Sequence, residues 1–312
     1  VSSTQEALLP TGAQHEIAHG DQRAVVTEVG ATLRSYEAGG EPVIDGFAPD
    51  ELSPAGRGQV LAPWPNRLED GRYAYDGVDA SAALDEPERN NAIHGLVRWL
   101  PWTLEVRTDD TVVLRHLLHP QPGYPWLLEV AIRYALGPDG LSVETDATNR
   151  SDTRAPFGIG FHPYVTVGTE RIDDAHLRVP AGEQLVADER GLPTGRHAVI
   201  GGDADFMSSR PVGGTRLDTA FTGLLRDNDD RVIVALERPD GGRSVRVWAD
   251  AAFKYLMVYT GDTLEPADRR RGGIAIEPMT CPPNALRTGV DLIELEPGAT
   301  WRGTWGISPE GG

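Results

Sequence analysis

The sequence predicts an all-β fold, a large antiparallel β-sandwich, and three observations carry that prediction. Apolar residues alternate with polar ones in segment after segment, the pattern of a strand with one buried face. Turn residues, 36 Gly and 24 Pro among 312, interrupt the chain at short intervals, as many short strands joined by tight connections require. No segment of about twelve residues or more carries a helical apolar stripe with caps at both ends.

Val1 to Gly12 reads as a flexible N-terminal arm, polar or small apart from Ala7-Leu8-Leu9, and residues 13–312 read as one domain. Arg72 to Tyr75, Asp76-Gly77 and Val78 to Ala80 form a hairpin signal whose Asp-Gly pair suits a type I′ turn. Leu128, Val130, Ile132, Tyr134 and Leu136 share one strand face, and Leu141, Val143, Thr145 and Ala147 resume it after Gly137-Pro138-Asp139-Gly140. Glu183 to Gly202 is polar and patternless, so an excursion with little regular structure is expected there. Arg231 to Arg238 and Ser244 to Ala249 flank Pro239-Asp240-Gly241-Gly242 as a further hairpin, and Trp301, Gly303, Trp305 and Ile307 alternate in a last short strand. There is no fixed-period repeat of the kind a propeller or solenoid would leave.

Composition removes several classes of function. A formal charge of −18 repels phosphate backbones and anionic lipid surfaces, so neither nucleic acid nor a membrane is expected as a partner. No apolar run approaches the roughly 18 residues of a membrane-spanning helix. The single cysteine, Cys281, can make neither an internal disulfide nor a cysteine-based zinc cluster. With Pro282 and Pro283 beside it and no nearby basic group, it reads as a packed side chain rather than a nucleophile. The opening residues lack a basic stretch followed by an apolar one, which makes a cytoplasmic location the expectation, with an export signal removed ahead of Val1 left open.

Three segments place a polar group where the pattern around it predicts something blander. They are Asn91-Ala92-Ile93-His94-Gly95, Phe157-Gly158-Ile159-Gly160-Phe161-His162-Pro163-Tyr164, and Ile274-Ala275-Ile276-Glu277-Pro278, where an apolar strand delivers a carboxylate and stops at a proline. A histidine near aromatics is most often a hydrogen-bonded core or rim residue, whereas a glutamate is almost never buried without a partner. A Glu and a His of opposite protonation state suit the opening of a cyclic hemiacetal, in which a base takes the anomeric hydroxyl proton while an acid protonates the ring oxygen. Reference pKa values of about 4.3 and 6.5 let a carboxylate and an imidazolium coexist near neutrality, and the carboxylate would favour a charged histidine.

The ordered set, Asn-x-hydrophobic-His-Gly, a second His among aromatics, and an apolar strand ending in Glu, resembles the aldose 1-epimerases, or mutarotases, from about residue 13 to residue 309. The resemblance implies a galactose mutarotase-like β-sandwich, a small-molecule sugar substrate, no cofactor, and a monomer or homodimer. It also implies Glu277 as general base on the anomeric hydroxyl and His162 as the acid at the ring oxygen. His94 would bond the sugar, while Arg67, in Pro65-Asn66-Arg67, and Asp218, in Leu217-Asp218-Thr219, would hold hydroxyls. The ordinary alternatives are a salt-bridge role for Arg67 and a turn or cap role for Asp218. Leu96 after His94-Gly95, Pro163-Tyr164-Val165 after His162, and Glu277-Pro278-Met279-Thr280-Cys281 depart from the galactose branch. They look like a less characterised bacterial branch, some of whose relatives are suspected of acting on sulfonated or other uncommon sugars.

Trp64, Trp99, Trp102 and Tyr164 are available to stack on a pyranose, and Arg98 to meet an anionic substituent, although buried aromatics are usually core. Three other readings stay open. His94, His162 and Glu277 could ligate a metal, although they are dispersed in sequence; the same groups could bind sugar without reacting; and Asp218 with Glu277 could form the carboxylate pair of a glycoside hydrolase.

Overall fold

The structure is a computed structural model that describes residues 8–311. Two large antiparallel sheets face each other across the main core. One has nine strands, in spatial order Thr103–Arg107, Thr111–Leu118, Leu128–Gly137, Gly140–Asn149, Thr300–Glu310, Ser244–Ala249, Val232–Glu237, His176–Arg178 and Arg210–Pro211. The other runs Pro193–Ala198, Ala181–Ala187, Asp218–Leu224, Tyr255–Tyr259, Ile274–Met279, Gly160–Phe161 and Val60–Leu61, with Tyr164–Val165 also pairing with Ile274–Met279.

Alternation explains the nine-stranded sheet directly. In Leu128–Gly137 every second residue is buried and the residues between are half-exposed, because successive side chains leave opposite faces of a pleated strand. Its hairpin with Gly140–Asn149 closes with Gly137 opposite Gly140. Gly140 has φ +112°, and a Cβ there would lie 2.2 Å from the Ile307 carbonyl oxygen, so the turn needs glycine. In the Arg72–Ser81 hairpin, Asp76 and Gly77 both take positive φ, as a type I′ turn demands. The two sheets meet at Phe161 and Trp305, whose rings lie 5.0 Å apart, and Phe157, in a separate two-stranded ribbon with Ile293–Leu295, packs 5.7 Å from Trp301.

Four sequence expectations need correction. Glu183 to Gly202 is not irregular: Ala181–Ala187 and Pro193–Ala198 form a two-stranded extension of the eight-stranded sheet. The strand at Trp301 is not short, since it runs over Thr300–Glu310 and lies between Gly140–Asn149 and Ser244–Ala249. The Glu277 strand does not stop at Pro278 but continues to Met279, with Pro278 opposite Leu256. In the expected N-terminal arm, residues 1–7 lie outside the described residues, while Thr11 is buried and its carbonyl accepts the Val29 N–H. Among the described residues the one α-helix is Ala285–Thr288, and no helix is long and apolar enough to cross a membrane.

Candidate active site

The eight-stranded sheet lays one face on the main core and the other under loops, and that double cover creates the site. All six residues of Ile274–Met279 are buried. Ile274 and Ile276 join the main core, while Ala275 and Met279 belong to small apolar clusters on the opposite face. By the same alternation Glu277 leaves on that opposite face, only 2% exposed, with Met257 of the next strand beside it.

His162 follows the Gly160–Phe161 bridge and is tied by its own backbone: its N–H donates to Gln59 O and its carbonyl accepts the Gly58 N–H. Its Nε2 lies 3.3 Å from Glu277 Oε1. One ring face stacks on Tyr164, 5.0 Å away and 14° from parallel, and the Arg57 guanidinium sits 4.4 Å from the Tyr164 centroid while bonding Asp45 at 2.8 Å. Gly56, at φ +77°, lets the backbone pass close by, since a Cβ there would come within 2.9 Å of His162 Cδ2.

His94 and Arg67 arrive together because Asn91–Ile93 pairs with Arg67–Glu69, and the His94 N–H donates to Asn66 O at 2.9 Å. The ring of His94 meets that of His162 edge to face, with centroids 5.3 Å apart. Arg67 makes a fork with Glu86, Nε to Oε2 at 2.9 Å and Nη2 to Oε1 at 3.0 Å, and its Nη1 lies 4.0 Å from Asp218 Oδ2. Asn91 Nδ2 donates to both Glu86 Oε2 and Arg190 O, and so fixes the carboxylate from behind.

All five residues singled out in the sequence therefore line one cleft of about 610 Å³. Trp99, Tyr164 and Arg98 line it too, with Arg98 paired to Asp85, whereas Trp64 and Trp102 are packed in the core. Sequence reasoning passed over Glu86, which sits in an acidic turn, Asp85-Glu86-Pro87-Glu88, indistinguishable from a solvated loop. Its one signal was a carboxylate a few residues ahead of Asn91 and His94. Arg57 and Asp45 carried none.

Burial dominates the electrostatics. It raises the Glu277 carboxyl well above its ordinary range, with Asp218 adding to the shift and Arg67 opposing it. It pushes the His162 imidazole down to about 3, helped by Arg57 and Arg98, and drives His94 well below its usual value. Burial thus favours a neutral pair over the expected carboxylate and imidazolium in the free site, because desolvation of two ions works against their attraction. The two forms hold the same number of protons and differ only in which side of the 3.3 Å gap carries one. Glu277 Oε2 and the Nδ1 atoms of His94 and His162 have no hydrogen-bond partner among the described residues. No cluster of three or more His, Cys, Asp or Glu among the described residues is arranged to hold a metal ion. Cys281 is buried and its thiol is pushed up to about 12.

The sequence profile of the aldose 1-epimerases matches residues 13–308. The chain belongs to the aldose 1-epimerase family. Among relatives of this chain, the uncharacterized protein YihR of Escherichia coli (strain K12) is 34% identical over 293 residues, 94% of this chain and 92% of its own. The galactose mutarotase of Sus scrofa is 23% identical over 268 residues, 79% and 77% of the two chains. The crystal structure of a GalM/aldose epimerase homologue from C. elegans superposes on this chain with a TM-score of 0.84 at 17% identity, covering 96% of this chain and 99% of that one. That of galactose 1-epimerase from Lactobacillus acidophilus NCFM gives 0.79 at 21% identity, covering 95% and 93%.

Proposed function

We propose that this chain interconverts the α and β anomers of a hexose or modified hexose by opening and reclosing the ring. The observation that carries this reading is the 3.3 Å approach of Glu277 to His162 inside a cleft of the size that holds a small ligand. Family membership and the mutarotases among its relatives support it.

In the proposed reaction Glu277 takes the proton from the anomeric hydroxyl as His162 delivers one to the ring oxygen. The bond between C1 and the ring oxygen breaks, and its electron pair goes to that oxygen. C1 becomes an aldehyde. Rotation about C1–C2 presents the other carbonyl face, and reversal of both transfers closes the ring. His94 steadies the charge that develops on the exocyclic oxygen, while Arg67 and Asp218 hold distal hydroxyls. Every step is heterolytic and none calls for a cofactor.

A neutral resting pair, which burial favours, fits this scheme. Sugar hydroxyls that donate to Glu277 Oε2 stabilise its carboxylate, and a ring oxygen facing His162 gives the imidazolium an acceptor. Binding then moves one proton from Glu277 to His162 and readies both groups.

Exchange NMR on freshly dissolved anomers tests the proposal, with a rate above the spontaneous one expected for at least one aldose. Glu277→Gln should lower that rate by about 10²–10⁴-fold while sugar affinity is kept. Binding with no acceleration in the wild-type protein would identify a sugar-binding module instead. Release of nitrophenol from a nitrophenyl glycoside would identify a hydrolase using Asp218 and Glu277.

A further inference from the structure

His162 lacks the device that ordinarily orients a proton-transferring histidine. Such a ring is usually fixed by a hydrogen bond at its second nitrogen, yet His162 Nδ1 has no partner among the described residues. The backbone of His162 is tied to Gln59 O and to the Gly58 N–H, but those bonds leave rotation about Cβ–Cγ free. That rotation decides whether Nε2 faces Glu277.

What opposes it is Tyr164. The phenol lies 5.0 Å from the imidazole and 14° from parallel, and a ring packed flat on another cannot turn without giving up that contact. Tyr164 is itself anchored. It pairs with the Glu277 strand opposite Ala275, and its carbonyl accepts the Asp45 N–H at 2.7 Å. The Asp45 carboxylate in turn accepts from Nε and Nη2 of Arg57, at 3.3 and 2.8 Å, and the Arg57 guanidinium rests 4.4 Å from the Tyr164 centroid. Tyr164 backbone, Asp45, Arg57 and Tyr164 ring thus close a cycle. A planar guanidinium can bond a carboxylate with its edge while its face presses on a phenol, which a lysine cannot do. With the Arg57 side chain only 2% exposed, the contact is desolvated and at its strongest.

We propose that Tyr164 and Arg57 are positioning residues for His162, Tyr164 by holding the imidazole flat with Nε2 toward Glu277 and Arg57, clamped by Asp45, by holding Tyr164. The inference rests on the epimerase reading for what His162 does, and on packing alone for how it is held. Tyr164 is 1% exposed, so its ring serves the imidazole and is no platform for a pyranose. Nor does its hydroxyl exchange protons: burial raises it well above its ordinary range, and it lies 3.3 Å from Ala55 O. Arg57 adds a fixed positive charge that works with burial, the larger cause, to hold the imidazole low. An imidazolium formed there is a stronger acid toward a ring oxygen.

Side-chain NMR relaxation reads the stack without turnover. In protein carrying isotope-labelled histidine, with the His162 signal assigned by its loss in His162→Gln, the wild-type ring should be as rigid as the backbone on the ps–ns timescale. In Tyr164→Leu it should become mobile, and Tyr164→Phe, which keeps the ring and drops the hydroxyl, should restore rigidity. A mobile ring in the wild-type protein, or a rigid one in Tyr164→Leu, overturns the proposal. In exchange NMR, Tyr164→Leu should lower kcat about 10–10²-fold with KM held within about twofold, and Tyr164→Phe should return kcat to within about threefold of wild type. A loss carried by KM, or equal losses in the two variants, overturns it as well. Arg57→Met leaves every ring in place and should both loosen the His162 ring and lower kcat about tenfold. If Tyr164→Leu does not fold, this variant and the wild-type relaxation decide, and a His162 ring that Arg57→Met leaves rigid overturns the proposal. A protein that accelerates no sugar would defeat the epimerase reading, while the relaxation results decide the stack on their own.

Discussion

The two sheets of the sandwich are built from the same kind of strand and put to different uses. In Leu128–Gly137 of the nine-stranded sheet, buried and half-exposed residues alternate along the strand, so one face holds the core and the other meets water. In Ile274–Met279 of the eight-stranded sheet every residue is buried, because loops cover the face that solvent would otherwise reach. A polar residue on the outer face of the first strand is ordinary. On the outer face of the second it is a desolvated group with altered acidity, and Glu277 is that group. The lesson is that covering a sheet's second face turns a surface position into a reactive one.

Perturbing the two faces should separate stability from chemistry. Ile132→Ala in the nine-stranded sheet removes a fully buried side chain and should cost about 2–5 kcal/mol in urea unfolding, with kcat/KM of the folded fraction kept. Equal loss of activity per folded molecule would break the division.

Next in size is Glu86→Gln. It removes the charge that holds Arg67, and breaking a fully buried pair costs about 3–5 kcal/mol. Here about 1–3 kcal/mol is expected, since both side chains keep a tenth of their exposure and Asp218 remains 4.0 Å from Arg67. KM should rise more than kcat falls. The reverse split would mean that Arg67 serves the reacting atoms.

The pH dependence of stability sharpens the comparison further. His162 has a folded value near 3 against an unfolded 6.5, so the unfolded chain binds the extra proton between them. Its contribution is whole above about 6.5 and is lost as pH falls toward 3. Glu277 is raised from 4.5, so the folded state binds the extra proton, and its contribution is whole below about 4.5 and fades as pH rises through the folded value. His162→Gln should therefore flatten the acid side of the stability profile and Glu277→Gln the alkaline side. Parallel profiles for both variants and the wild type would contradict the neutral pair.

Gly191→Ala is the mildest change. With φ +77° and Arg67 in the way, it should cost about 1 kcal/mol and raise KM as Arg67 shifts. An unchanged KM would detach the hairpin from the site.

What the sequence disclosed follows from the same contrast. Where one face is wet, as at Leu128, Val130 and Ile132, alternation reveals the strand, and Asp76-Gly77 or Gly137 to Gly140 reveal the turns. Where both faces are covered, or neither is, the signal fails. Pro193–Ala198 is almost wholly exposed after its first residue, so it carries no alternation and reads as loop. Ile274–Met279 is buried throughout, so Pro278 reads as a stop although the strand continues past it. The five site residues could be singled out because each breaks a local pattern or fits an ordered motif, and the structure gathers them in one cleft. Glu86 broke no pattern. The direction in which Glu277 and His162 are shifted was not legible, because it depends on complete burial, which local sequence does not express.

The position of Thr300–Glu310 between Gly140–Asn149 and Ser244–Ala249 bears on how the molecule is made. Until residue 300 has left the ribosome, the nine-stranded sheet exists only as two separate ribbons, each with an unpaired inner edge. The wall that backs Phe161, the residue before His162, is supplied by Trp305 of that late strand. Assembly of the sandwich consequently waits for that strand, and the nascent chain must keep two adhesive strand edges apart until the strand that joins them arrives.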